Sequence, residues 1–450
     1  MSAGAPSSRL TAGLVLAVVA VAFEGLAVTT VMPTVVRDLG GLADYGWAFS
    51  GFMLANVVGI TVAGRRTDRV GPWAPFAAGA AIFAAGLCLG GLAPTMHALI
   101  GARVVQGAGG GSLSSVIYAS VARAYPEEHR PRMLAMLSTA WVLPGLVGPA
   151  VAGVVADQAS WRLVFFGLVP IVAIAAALTL PALARLAPAG APRDEAATPR
   201  AAVLLSGGLV LSLVGAQQPG VLVALALLVA GIVVARPGFQ QLMPAGTLTA
   251  APGLPAAIAA MGLVSVAFLG TETFFPLLVT EVHHRSSTLA GLALSAATLT
   301  WTAGAWVQAR LAPQRSRRGL VGSGALLLAT GLAGLSLPLF DATPLWGGVV
   351  AWALAGLGMG IAHATISLVV LDEAAAGGAG AASAAMQLAS VLGVALGAGI
   401  GGAAIAAATA HGWGAQVGFA IGLAITGAAA LLALVAAARL PDRVSPAPAR

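Results

Sequence analysis

Residues 46–93 read GWAFSGFMLANVVGITVAGRRTDRVGPWAPFAAGAAIFAAGLCLGGLA. Two apolar runs, 46–63 and 74–93, flank one short polar segment, Gly64-Arg65-Arg66-Thr67-Asp68-Arg69-Val70-Gly71. About 20 apolar residues in helical form cross the hydrocarbon core of a bilayer, and each run approaches that length. A closed barrel, the other spanning solution, would show short segments of alternating polarity. These runs are instead continuous and rich in Ala, Leu, Val and Gly, so the pair reads as two transmembrane helices joined by a tight polar turn.

The same pattern repeats along the chain. Apolar runs fall near 10–33, 46–63, 74–93, 98–122, 133–156 and 162–184, then at 201–216 and 219–235. Six more follow near 254–279, 288–309, 319–338, 345–371, 380–409 and 414–438. Of 450 residues, 59% are hydrophobic and 8% charged, with mean hydropathy +0.95. A soluble domain carries roughly 25% charged residues, so this chain is expected to be an all-α membrane protein.

The net charge of +7 raises the question of a nucleic-acid partner. All 22 basic residues are Arg, and they are confined to short inter-helix segments with no basic stripe interleaved with aromatics. Nucleic-acid binding is therefore excluded. With the N-terminus inside, eighteen arginines fall on the cytoplasmic side; only Arg37, Arg162 and Arg285 fall outside, and Arg103 lies within a span. The positive-inside rule thus places both termini in the cytoplasm, in what is expected to be a bacterial cytoplasmic (inner) membrane. The first run continues past Glu24 to about Met32, so it reads as a retained span and not as a cleaved leader. A single cysteine, Cys88, excludes a disulfide framework. No cofactor or metal is expected: a phosphate-binding loop ending in Lys-Ser/Thr and a His-Glu-x-x-His motif are both missing from the sequence.

The spacing also implies a repeat. Residues 1–187 hold six spans and 252–439 hold six more. Residues 188–251 form a linker with an inserted hairpin at about 201–235, and 440–450 a cytoplasmic tail. Two six-helix halves about a pseudo-twofold axis are a recurrent transporter plan, with the substrate site between them. At about 16 residues per arm, the hairpin either just spans the bilayer or re-enters it.

Several segments resemble one family. Gly64, Asp68, Arg69 and Gly71 match the Gly-x-x-x-Asp-Arg-x-Gly signature of the major facilitator superfamily, with Pro72-Trp73 in place of the usual basic pair. This implies a gating loop in which the glycines allow a tight turn and Asp68 sits against a helix N-terminus or a neighbouring Arg. Arg103-Val104-Val105-Gln106-Gly107 is similar to the family's Arg-x-x-Gln-Gly element, associated there with proton-linked transport. Gly145, Gly148, Pro149 and Gly153 are similar to the Gly-Pro element of its antiporter branch. The flanking matches, Trp47–Ala55, Gly356–Gly360 and Ser383–Gly401, resemble the fourteen-helix drug:proton antiporters. The resemblance implies the major-facilitator fold, with two six-helix bundles plus an inserted two-helix hairpin. It also implies proton-driven export of amphipathic small molecules. Two carboxylates within the spans, Glu24 and Glu272, favour cationic or zwitterionic ones, and a monomer is expected. A proton-linked uptake symporter and a lipid or cell-envelope precursor translocator remain alternatives at this point.

Ionisable groups within spans mark functional sites. Glu24 lies near the middle of the first span, where Phe23–Thr30 resembles a Glu version of the family's Asp-x-Thr element with Leu26 replacing the Thr. Desolvation favours a carboxylate's neutral form and a nearby cation its charged form, so such a group can take up and release a proton. Glu272 occupies the equivalent span of the second half, and both are expected to line a central cavity. Arg103 and His363 complete the candidate proton-coupling set. Asn56, Gln106 and Gln387 are candidate cavity contacts, with Trp301, Trp306, Trp352 and Phe275 as aromatic surface.

Overall fold

A computed structural model describes residues 8–126, 129–186, 198–218, 220–339, 345–374 and 379–442. Most of the 188–200 linker, including Arg193, and the end of the tail, including Arg443 and Arg450, lie outside the described residues.

Helices occupy all fourteen anticipated positions. The first half contains α1 (Ser8–Leu39), α2 (Tyr45–Val70), α3 (Trp73–Gly91), α4 (Met96–Ala124), α5 (Arg130–Thr139), α6 (Val142–Gln158) and α7 (Arg162–Leu183). The hairpin is α8 (Pro199–Ala216) and α9 (Val221–Leu242). The second half contains α10 (Leu254–Glu272), the short α11 (Phe275–Leu277) with a π turn to Val282, and α12 (Ser287–Leu311). Its remaining helices are α13 (Arg317–Gly334), α14 (Leu345–Glu373), α15 (Ala379–Ala410) and α16 (Ala415–Ala437). Ten segments among the described residues are long and apolar enough to cross a membrane on length and composition alone.

Two spans expected to be continuous are broken, each for a reason that apolarity does not register. Pro144 has no N–H to offer the carbonyl of Ala140, and the fifth span divides there into α5 and α6. Pro276 likewise cannot donate to Glu272, where α10 stops. The hairpin also differs from expectation. Its second arm runs on through Arg236 to Leu242, so at 1.5 Å per residue the two arms measure about 27 and 33 Å.

The repeat is visible in the packing. In each half the second helix packs on the fourth, the third on the fourth, and the first on the fifth and sixth. Glycines at these crossings occur in matched pairs. A Cβ at Gly59 would overlap the carbonyl of Ala108 in α4, and one at Gly304 would overlap that of Leu357 in α14. A Cβ at Gly86 would stand 2.6 Å from the backbone N of Gln106, and one at Gly331 would stand 2.6 Å from that of Ala355. Small residues bring backbones together where lipid offers no hydrophobic drive. This register equates α4 with α14, each of 29 residues, and places Arg103 opposite Trp352.

The halves meet along two related seams, α6 on α12 and α2 on α15. A Cβ at Gly291 of α12 would overlap the carbonyl of Pro149, and one at Gly46 of α2 would stand 2.5 Å from the carbonyl of Ala398. Further links gather at the Arg-poor face: Arg37 Nε to Glu281 at 3.0 Å, Thr34 to Ser287 at 2.8 Å, and Tyr45 Oη to the Thr273 carbonyl at 2.6 Å. There Asp157, at the end of α6, accepts from the Thr288 N–H at 2.8 Å and from its hydroxyl at 2.7 Å, at the start of α12.

The hairpin lies over the α2–α15 seam. Ser206 of α8 donates to the Leu54 carbonyl at 2.9 Å, Trp47 Nε1 donates to Gln217 at 2.9 Å, and Leu213 lies against Gly399.

Candidate functional site

An Arg buried within a span must find counter-charge and hydrogen-bond acceptors or pull water in with it. Arg103 finds both inside the first half and does not snorkel outward. Its relative exposure is 2%, and that of Glu24 and Gln106 is 0%. Nη1 pairs with Glu24 Oε1 and donates to Gln106 Oε1 at 2.6 Å. Nε donates to the Ala48 carbonyl of α2 at 3.0 Å, and the guanidinium stands 4.2 Å over the Phe52 ring, an attractive cation–π placement. The local sequence explains the arrangement. Arg103 and Gln106 sit three residues apart on one face of α4, while Gly107 lets α4 close on the Phe52 carbonyl. The second Glu24 oxygen, Oε2, and Gln106 Nε2 have no hydrogen-bond partner among the described residues.

Three candidates thus come together, Glu24, Arg103 and Gln106, and the others do not join them. Glu24 was expected to line a cavity, yet in this state it is wholly enclosed. Glu272, at the end of α10, and His363, on α14, belong to the other half. Where the first half has Arg103, the second has Trp352, stacked between Phe268 at 4.6 Å and Phe275 at 5.1 Å. Trp301 meets Phe268 edge-on at 5.3 Å and lies 5.5 Å from the His363 ring. The first-half cluster is therefore charged and its counterpart aromatic. Trp306 stands apart, 65% exposed. Asn56 is buried on α2, its carbonyl against Gly111. Gln387 is exposed and precedes Ala398 by about three helical turns, hence on the same side of α15.

The Gly64–Gly71 segment differs from the expected loop. Gly64 is helical, because α2 continues to Val70, and the turn is made at Gly71 alone, with φ 88°. Asp68 accepts from Arg123 Nη2 of α4 at 2.5 Å, while Arg123 Nη1 holds the Thr67 carbonyl at 2.9 Å. Arg69 is exposed. The equivalent corner of the second half carries the pair Arg317–Asp372 with the signs exchanged, and residue-by-residue reading overlooked it. Asp68→Asn is expected to leave the melting temperature nearly unchanged, because a partly exposed pair contributes about 1 kcal/mol or less. The initial transport rate should fall by about fivefold and recover in an Asp68→Arg/Arg123→Asp exchange, as vesicle uptake would show.

In the Gly-Pro element, Gly145 faces Thr298, Gly148 faces Phe23, Pro149 meets Gly291 across the seam, and a Cβ at Gly153 would stand 2.6 Å from the Ser287 carbonyl. Three of its four positions touch the other half. The Asp157 clasp beside it was also missed, although an acid at the end of that span was its signal in the sequence.

Two pseudo-symmetric six-helix bundles, one holding a buried ion pair, form the frame of a multi-pass membrane transporter. The chain belongs to the Major Facilitator Superfamily, whose family model matches residues 14–398. It is 29% identical over 388 residues, 82% of each chain, to a Mycobacterium tuberculosis protein described as a probable multidrug-efflux transporter. A 162-residue stretch is 33% identical to multidrug resistance protein 3 of Bacillus subtilis, covering 36% of this chain and 32% of that one. Among solved structures, the D-xylose-proton symporter superposes with TM-score 0.67 at 16% identity, covering 98% of this chain and 99% of that one. A peptide transporter crystallised with sulfate gives TM-score 0.69 at 15% identity, covering 96% and 94%.

Proposed function

We propose that this chain is a proton-coupled antiporter of the fourteen-helix branch, exporting amphipathic small molecules by alternating access. The observation that carries the reading is the enclosed Glu24–Arg103–Gln106 cluster. Arg103 and a proton are alternative ways to neutralise Glu24, so protonation releases Arg103 and deprotonation recaptures it. Arg103 also holds the Ala48 carbonyl. Ala48 lies between Gly46 and Ser50, and Ser50 donates to the Ala395 carbonyl of α15 at 2.8 Å. The ion pair therefore touches the same turn of α2 that forms a seam with the other half. Proton and substrate compete through this turn and not through a shared carboxylate surface. The relative described as a probable multidrug-efflux transporter supports export. Residues 1–187 and 252–439 are the two moving bodies, joined by 188–251, in a monomer of the bacterial cytoplasmic membrane with both termini inside.

The test is reconstitution in proteoliposomes under an imposed proton gradient, with internal pH and the movement of two dansyl-octyl amphiphiles, one anionic and one cationic, followed together. At least one of them should move against its gradient, and proton flux should require it. Accumulation that survives a protonophore would reject proton coupling.

A further inference from the structure

Beneath the ion pair, towards the Arg-rich face, a cavity of about 430 Å³ lies between the start of α1, the end of α4 and α5. That volume is within the range of small-molecule pockets. Its lining changes character with depth on two elements at once. Along α1 it passes from Ser8 and Thr11 to Val15; along α5 it passes from His129 and Arg132 to Met133 and Met136. Tyr125, bonded to Thr11 at 2.8 Å, closes the α4 side.

The wall is therefore polar and cationic at the membrane surface and apolar one to two turns deeper. Among the described residues lining it there is no acid, and Arg132 supplies the fixed charge. Before the break at Ala140, α5 packs on α1 and α4; beyond it, α6 packs on α1 and α12. The deep end is formed by Met133 and Met136, whose flexible thioethers adapt to differently shaped partners.

We propose that this cavity is a loading site for the exported compound, and that it takes amphiphiles with an anionic head. The head meets Arg132 and the hydroxyls of Ser8 and Thr11, and the apolar body lies along Val15, Met133 and Met136, oriented as it would be in the adjoining leaflet. The inference rests on the export reading and assigns it an anionic substrate class, in place of the cationic or zwitterionic one expected from the span carboxylates.

The test uses the full chain in nanodiscs and two dansyl-octyl probes that differ only in ending in a carboxylate or a trimethylammonium. The carboxylate probe should bind more tightly than its partner. Arg132→Gln should weaken it by about fivefold, the scale of one exposed charge contact, and leave the ammonium probe unchanged. Met136→Trp, which fills the deep end, should weaken both probes, with Val15→Trp as a second filling variant if the first fails to fold. Folded filling variants that bind as the parent does, or a preference for the ammonium probe untouched by Arg132→Gln, would overturn the site. Complete displacement of the probe by anionic phospholipid at leaflet proportions would overturn it too, by assigning the cavity to a resident lipid. Binding that responds to these variants without any export of the probe from proteoliposomes would sink the export reading and leave the site standing. Export that persists when the cavity is filled would do the reverse.

Discussion

Glu24→Gln is expected to abolish proton-driven export while leaving downhill equilibration of the same substrate in place. The amide can still accept from Arg103, so the geometry of the cluster is nearly kept. What is lost is the exchange between proton and guanidinium. The substitution also leaves Arg103 enclosed without counter-charge, and breaking a buried pair in this way costs about 3–5 kcal/mol. A lower melting temperature should therefore accompany the loss. Arg103→Met removes the opposite partner, and Glu24 can then become neutral by binding a proton, so that variant should be the more stable of the two. The double variant Glu24→Gln/Arg103→Met should be more stable than Glu24→Gln alone, because no enclosed charge remains. Melting curves of all four proteins form a double-mutant cycle. Additive effects would mean that the pair is not coupled, and intact proton-driven export in Glu24→Gln would remove it from the mechanism.

The second large effect is expected at the α6–α12 seam. A Cβ at Gly291 would overlap the Pro149 carbonyl, which is backbone and cannot rotate away. Overpacking of this kind costs about 1–3 kcal/mol. The clash exists only while the seam is closed, so Gly291→Val should penalise this state and spare its alternative. A difference of that size shifts a two-state population by about 5- to 150-fold. The readout is alkylation of a cysteine placed at Thr34, in a background with Cys88 replaced, by an impermeant maleimide added on the Arg-poor side. Labelling should rise about tenfold or more and export should fall. Unchanged labelling with normal folding would show that the seam does not open during transport.

Much of the fold was legible because spans, Arg placement and glycine spacing are periodic properties of the sequence. Helix breaks were not, since Pro144 and Pro276 sit inside runs that remain apolar on either side. Within the site, Arg103 and Gln106 could be paired from their spacing on α4, and Glu24 singled out as a lone charge in its span. Their convergence depends on how α1 and α4 cross, which is set by backbone approach at residues such as Gly107 and not by any motif. The contact with the Ala48 carbonyl had no signal at all, because every residue has a carbonyl. Glu272 looked equivalent to Glu24 by position in the repeat, yet the register set by the glycines places aromatic rings where the first half has its ion pair. Symmetry of the backbone did not carry over to chemistry.

The hairpin has a mechanical consequence for that symmetry. Of two seams built alike, one is splinted: α8 is tied to α2 through Ser206 and Gln217 and rests on α15 through Leu213. A movement that parts the halves must carry α8 with one of them and slide it across the other. Among the described residues, no such splint lies along α6 and α12. The molecule is thus bound along one edge like a book, and its two lateral faces towards the lipid are not interchangeable.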